Sequence, residues 1–177
     1  MIVLLMQKFS RELKDNLKSV DKEDKLNEML KERLERQEIE AKKNEKLLEE
    51  LNKVADKIDK EELSTADELT LKTNVIDYIL SSFSEEEMDY DRTTYTARIY
   101  TNIGIKYAVM AETALGSKKA IYEDDKKYFL DKAMVEWEIL LDEFKIDRKT
   151  LAGTMYKIYL LMGDELTAGE IKKEFSL

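Results

Sequence analysis

The chain has 177 residues with no Pro, no Cys and no His, only five Gly, and a formal net charge of −9 at pH 7. The missing types exclude His-dependent triads, thiol nucleophiles, disulfide frameworks and zinc sites made of Cys or His. Hydrophobic residues make up 43% of the chain and charged residues 39%, which is enough for a core beneath a strongly solvated surface.

The composition predicts an all-α fold. Pro and Gly, which end helices and form turns, are absent or scarce, while the good helix formers Glu, Lys, Leu, Met and Ala dominate. No long window alternates apolar and polar residues at the period of two that strands show. The apolar run at 2–6 is too short for a signal sequence or a membrane span, so we expect a soluble, cytoplasmic protein without membrane contact.

The first third of the chain reads as a long helical arm, residues 1–63. A helix is expected over about 2–19 and a longer one over about 22–62, with Ser19 and Asp21 either marking a turn or lying inside one continuous helix. From residue 30 to residue 58 the apolar spacing alternates between four and three, the pattern of a coiled coil. The predicted oligomerisation seam consists of Leu30, Leu34, Gln37, Ala41, Asn44, Leu48, Leu51, Ala55 and Ile58.

A helix of this kind needs a partner, because it is too polar outside its seam to be stable alone. The partner could be the first helix folding back, the helices that follow, or a second copy of the chain. Self-association or a partner protein is favoured, since the first helix is too short to cover the seam. Gln37 and Asn44 take two successive positions of one type, where buried amides select register, unless that stretch is exposed and unpartnered.

Residues 64–177 are predicted to form a bundle of antiparallel helical hairpins. Thr65 with Glu68, and Ser84 with Glu87, have the spacing of capping boxes. Gly116-Ser117 and Gly163-Asp164 mark helix ends, and Asp147 is a capping residue. The predicted helices are about 66–83, 84–115, 125–145, 148–162 and a last one that ends near Phe175.

Part of this region, about residues 96–175, resembles the tetratricopeptide repeat family. The segment 103–107, preceded by Tyr100, is similar to the first helix of a repeat, and 132–140 is similar to the second. Ala133 and Ala168 are 35 residues apart, close to the repeat period. The resemblance implies that Gly104 lies where the two helices cross and that a concave surface holds a peptide or a helix. An unrelated bundle with similar hairpins is the alternative.

The charge pattern argues against direct nucleic-acid binding, because the sequence contains no basic stripe. The segment 66–91 instead holds eight acidic residues and one basic residue, Lys72. Such a run is most often a solvated helix start. It also suggests an alternative function, an acidic helical inhibitor of the phage or mobile-element type that competes with nucleic acid for a basic protein surface.

The sequence offers little for chemistry. Asp89 and Asp91 form an acid-x-acid pair, but Thr93 and Thr94 stand where a calcium loop needs a ligand and a glycine. No glycine-rich phosphate loop is present. We therefore expect no enzymatic activity, no cofactor and no metal.

The aromatic residues of the second part suggest a docking groove. All nine Tyr and the one Trp follow residue 77, and these types suit either a core edge or an interface. Core packing is the favoured interpretation of the helically spaced tyrosines. The expected function is a protein interaction or assembly module, whose arm oligomerises and whose bundle docks a partner protein or peptide. The candidate partner-binding residues are Tyr100, Lys106, Tyr107, Met110, Tyr156 and Tyr159.

Overall fold

A computed structural model describes residues 2–60, 65–83 and 89–177, with side chains from residue 25 onward. Within these ranges the chain is helical with no β-strand, which confirms the all-α prediction. The helices are α1 (Ile2–Lys60), α2 (Ala66–Ser81), α3 (Tyr90–Thr113), α4 (Ser117–Asp142), α5 (Arg148–Met162) and α6 (Glu165–Phe175).

The first helix is continuous from Ile2 to Lys60. Of the two interpretations of Ser19 and Asp21, the uninterrupted helix is therefore the one observed. No Pro or Gly occurs in this segment, so no residue removes a backbone hydrogen bond or adds backbone freedom. Capping residue types at these positions were not sufficient to end the helix.

Three helix starts are confirmed, each with a side-chain cap. Thr65 and Glu68 form the predicted capping box at the start of α2, with reciprocal bonds between side chain and backbone. Asp147 accepts a hydrogen bond from the backbone N–H of Lys149 and begins α5. Gly163 ends α5 in the left-handed conformation, and Asp164 then caps α6.

Two predicted helix starts differ from the structure. The predicted capping box of Ser84 and Glu87 lies outside the described residues, and the helix that follows has Asp89 as its N-cap. The helix predicted from 125 begins at Ser117. Gly116, at a positive φ of 61°, makes the turn into α4, and residues 117–124 are ordinary helix-compatible types that only lack a capping signal.

The chain divides into two compact units, residues 1–45 and 46–177. We call them the N-terminal unit and the bundle unit. The predicted boundary between arm and bundle, at 63/64, lies inside the bundle unit. The reason is that the last part of α1 contributes Leu51, Ala55 and Ile58 to the hydrophobic core, where all three are fully buried.

In the described part of the bundle unit, the most extensive contact between two helices is the one between α3 and α4. A Cβ placed on Gly104 would lie 2.6 Å from Leu130 Cδ2, so only glycine leaves room for this approach. Trp137 adds a polar link, because its Nε1 donates a hydrogen bond to Thr101 Oγ1 at 3.1 Å. The largest fully buried side chains of the core are Leu51, Ile58, Leu69, Ile76, Ile99, Ile103, Leu130, Leu140 and Ile158.

Polar contacts fix the C-terminal end of α1 against α3. Arg98 Nη2 lies 2.6 Å from Asp59 Oδ2 and 3.7 Å from Asp56 Oδ1. Asn102 Nδ2 also donates to Asp59. These groups are partly exposed, so their role is mainly to orient the two helices while the apolar residues beside them supply the stability.

Candidate protein interaction surface

The predicted seam is exposed over its N-terminal part. Leu30 is 49% exposed and Leu34 is 65% exposed, and Gln37 and Ala41 are also exposed. We call these four residues the exposed seam. They form one stripe on α1, because spacings of three and four place side chains on the same helix face. A row of exposed apolar side chains on one face is a feature that surfaces binding another protein can have.

The same seam is buried over its C-terminal part. Leu48 packs partly against the core, and Leu51, Ala55 and Ile58 are fully buried in it. Of the partners considered for the seam, the helices that follow α1 therefore cover this part. The heptad pattern continues through both parts, so the same spacing is exposed to solvent in the first part and buried in the core in the second.

Asn44 lies where the exposed part of the seam ends. Its side chain is partly buried, and its Oδ1 is shielded from water without a hydrogen-bond partner in the described chain. Gln37, the other polar seam residue, is exposed. The two amides thus differ in environment, although their heptad position is the same.

Three of the candidate partner-binding residues lie in the core. Tyr100, Tyr107 and Met110 are 5%, 4% and 9% exposed. Tyr107 stacks on Phe129 with ring centroids 5.7 Å apart, and the Lys132 ammonium lies 5.0 Å from the Tyr100 ring. Burial raises the pKa of both tyrosine hydroxyls. This placement agrees with core packing and leaves these three residues little surface for a partner.

The other three candidates keep part of their surface. Lys106 on α3 and Tyr156 and Tyr159 on α5 are partly buried. The Lys172 ammonium lies 5.9 Å from the Tyr156 ring. Burial raises the pKa of Tyr159. As a docking set, these residues stay a prediction.

One face of α2 carries an exposed row of apolar residues that was not predicted from the sequence. Leu71, Val75 and Tyr78 are 67%, 45% and 74% exposed. Their spacing of four and three places them on one face of α2. Leu69 and Ile76, by contrast, point into the core. The spacing was visible in the sequence, but an apolar row on a bundle helix is ordinarily assigned to the core, and both faces of α2 carry one.

A half-open cavity of about 280 Å³ lies between α2, α3 and α4. Its polar lining includes Arg92 and Glu136. Burial raises the pKa of Glu136, and the positive charges of Arg92 and Lys132 oppose this effect. The other lining residues are Leu80, Thr93, Thr96 and Ile139. Both threonine hydroxyls donate to backbone carbonyls within α3 or at its N-cap.

Two residues of the acidic run act in helix capping. Glu68 accepts a hydrogen bond from the Thr65 backbone, and Asp89 accepts one from the Arg92 backbone. The acids at 85–87 lie outside the described residues. In the described part of the chain, no group of three or more acidic side chains is arranged to hold a metal ion. None of the helices described carries an apolar stretch as long as a bilayer requires.

Comparison of the chain with models of protein families, with characterised proteins and with solved structures gave no match. The resemblance to tetratricopeptide repeats therefore stays a prediction that rests on the residues quoted for it.

Proposed function

We propose that the protein is a non-enzymatic assembly module in which the exposed seam of α1 associates with another copy of the chain. The bundle unit then presents a surface for a partner protein or peptide. The observation that carries the proposal is the exposure of Leu30 and Leu34, which lie on one face of α1 at the spacing of a coiled coil.

Association through this stripe would bury apolar surface. Burying a leucine side chain contributes about 1.5–3 kcal/mol, and a two-stranded pairing would bury Leu30 and Leu34 from each chain. The flanking residues are charged and exposed, which suits the rim of an interface.

The bundle unit offers two regions for a second partner. One is the exposed apolar row of Leu71, Val75 and Tyr78 on α2. The other is the partly exposed pair Tyr156 and Tyr159 on α5. Tyrosine in both regions favours a protein or peptide partner, because it combines a large apolar ring with a hydroxyl that can bond to a backbone.

The test uses two matched substitutions in the full chain. Leu34 is 65% exposed and belongs to the seam, whereas Ile39 is 69% exposed and lies outside it. We expect light scattering to show an assembled wild-type chain, an Ile39→Lys variant that remains assembled, and a Leu34→Lys variant with an affinity at least about a hundredfold weaker. Because both side chains are exposed, neither substitution removes a core contact, so the near-ultraviolet circular dichroism of the buried Trp137 should stay unchanged.

A wild-type chain that is monomeric at every concentration would overturn the proposal. Equal weakening by both substitutions would also overturn it, since the seam would then have no special role. Point variants serve better than deletion of residues 1–63, because that deletion would remove Leu51, Ala55 and Ile58 from the core.

A further inference from the structure

The charge of the chain is concentrated in the bundle unit. Residues 1–45 hold 11 basic and 11 acidic side chains, while residues 46–177 hold 19 basic and 28 acidic ones. The N-terminal unit is thus neutral and the bundle unit carries the whole net charge of −9. The exposed seam therefore lies in the unit without net charge, and its pairing depends on the local order of its own charges.

The residues that flank the exposed seam carry an ordered charge pattern. In heptad terms, Leu34 and Ala41 occupy a positions, while Leu30 and Gln37 occupy d positions. The e positions, which follow the d residues, hold Lys31 and Glu38. The g positions, which precede the a residues, hold Arg33 and Glu40, and all four residues are exposed. Basic residues therefore occupy the N-terminal half of the stripe and acidic residues the C-terminal half.

An antiparallel pairing matches this pattern. When Leu34 faces Gln37 of a second copy, Lys31 faces Glu38 of that copy and Arg33 faces Glu40. Twofold symmetry repeats each pair, so four attractive pairs form.

The a and d residues that face each other in this antiparallel pair are also complementary in size and polarity. Leu30 meets Ala41 of the second copy, which sets a large side chain against a small one. Asn27 meets Asn44, which sets one polar amide against another.

A parallel, in-register pairing is less favourable. There a g residue faces the e residue five positions later in the second copy. Arg33 would meet Glu38, which is attractive, but Glu40 would meet Glu45, which is repulsive. The two contributions cancel, whereas all four pairs of the antiparallel arrangement are attractive.

We infer that the exposed seam binds a second copy of the chain as an antiparallel two-stranded coiled coil centred between residues 35 and 36. The inference rests on the proposed function and specifies its geometry. The pairing extends over about residues 26–45, because the seam positions beyond Asn44 are progressively taken up by the chain's own core.

Charge exchange tests the register. With Lys31→Glu, a glutamate of each copy would face Glu38 of the other copy, which gives two repulsive pairs. The dissociation constant of the dimer should rise about tenfold. The double variant Lys31→Glu with Glu38→Lys restores two attractive pairs and should recover the wild-type value. In the parallel arrangement Lys31 faces no charge, and Glu38→Lys meets Arg33. Weakening by Glu38→Lys without recovery in the double variant would therefore overturn the inference.

Distance measurement tests the direction, and the absence of Cys makes single labelling simple. A spin label on cysteine introduced at Lys25 lies, in the antiparallel pair, about 31 Å along the axis from its copy. In the parallel pair the two labels lie at the same level. A dimer with the short distance overturns the antiparallel geometry and leaves the proposed function standing, whereas a chain that never dimerises overturns both.

Discussion

Replacing Gly104 by alanine tests the close packing of α3 and α4. The added Cβ would lie 2.6 Å from Leu130 Cδ2, 2.7 Å from Leu130 Cγ and 3.4 Å from the Leu130 backbone nitrogen. Comfortable carbon contacts begin near 3.5 Å, so two contacts are short by almost an ångström. Leu130 is fully buried, which restricts its freedom to move aside.

Two opposing effects set the magnitude. Alanine is favoured over glycine inside a helix by about 1 kcal/mol, whereas overpacking a buried site costs about 1–3 kcal/mol. The clash involves Cγ as well as the end of the leucine, so the larger part of that range applies. We expect Gly104→Ala to lower the free energy of unfolding by about 1–2 kcal/mol, measured by urea denaturation with circular dichroism.

Gly153 provides the matched control. It also lies inside a helix, α5, but a Cβ there would meet nothing within 4 Å. Gly153→Ala should therefore raise the free energy of unfolding by up to about 1 kcal/mol. If Gly104→Ala stabilises the chain as Gly153→Ala does, the close approach of α3 and α4 at this point does not exist. Adding Leu130→Ala should remove the penalty of Gly104→Ala, because the two clashing atoms are then gone.

Substitutions at four further positions probe the cavity, a cap and the two parts of the seam. Burial raises the pKa of Glu136, so this carboxyl group binds a proton more tightly in the folded chain than in the unfolded chain. The free energy of unfolding therefore falls as the pH rises from the unfolded-state pKa to the folded-state pKa of Glu136. Glu136→Gln should therefore stabilise the chain at neutral pH and not near pH 4, at about the ordinary glutamate pKa; destabilisation at neutral pH would mean that Arg92 dominates. Thr65→Ala should cost about 1 kcal/mol by removing the α2 cap, a loss that Thr65→Ser should largely avoid in urea denaturation. Leu51→Ala should cost about 2–5 kcal/mol, whereas Leu34→Ala should change monomer unfolding by less than about 0.5 kcal/mol; equal losses would contradict the division of the seam.

Local signals predicted the helices where a side chain caps the first turn. Thr65 and Asp147 each marked the start of a helix, and Gly163 marked an end, because these residues act on backbone groups only a few positions away. The start of α4 was missed for the converse reason. Gly116 makes the turn through its backbone conformation alone, without a side-chain hydrogen bond.

Burial was less predictable because it depends on contacts distant in sequence. Leu34 and Leu51 are the same residue type in the same heptad pattern, yet one is 65% exposed and the other fully buried. Nothing local separates them; Leu51 belongs to the hydrophobic core cluster of the bundle unit, and Leu34 does not. Tyr78 and Tyr100 show the same limit, since one is exposed and the other lies in the core.

The division of the seam also limits how far a second copy can pair with α1. To extend the pairing beyond Asn44, a partner helix would have to displace the chain's own contacts at Leu51, Ala55 and Ile58. Exposing the leucine and isoleucine alone would cost about 1.5–3 kcal/mol each, before the loss of the Arg98–Asp59 contact is counted. A partner could recover that cost only by burying the same atoms again, with no net gain. In the proposed dimer the seam would therefore pair only over its exposed part, while Leu51, Ala55 and Ile58 stay in the core of their own chain.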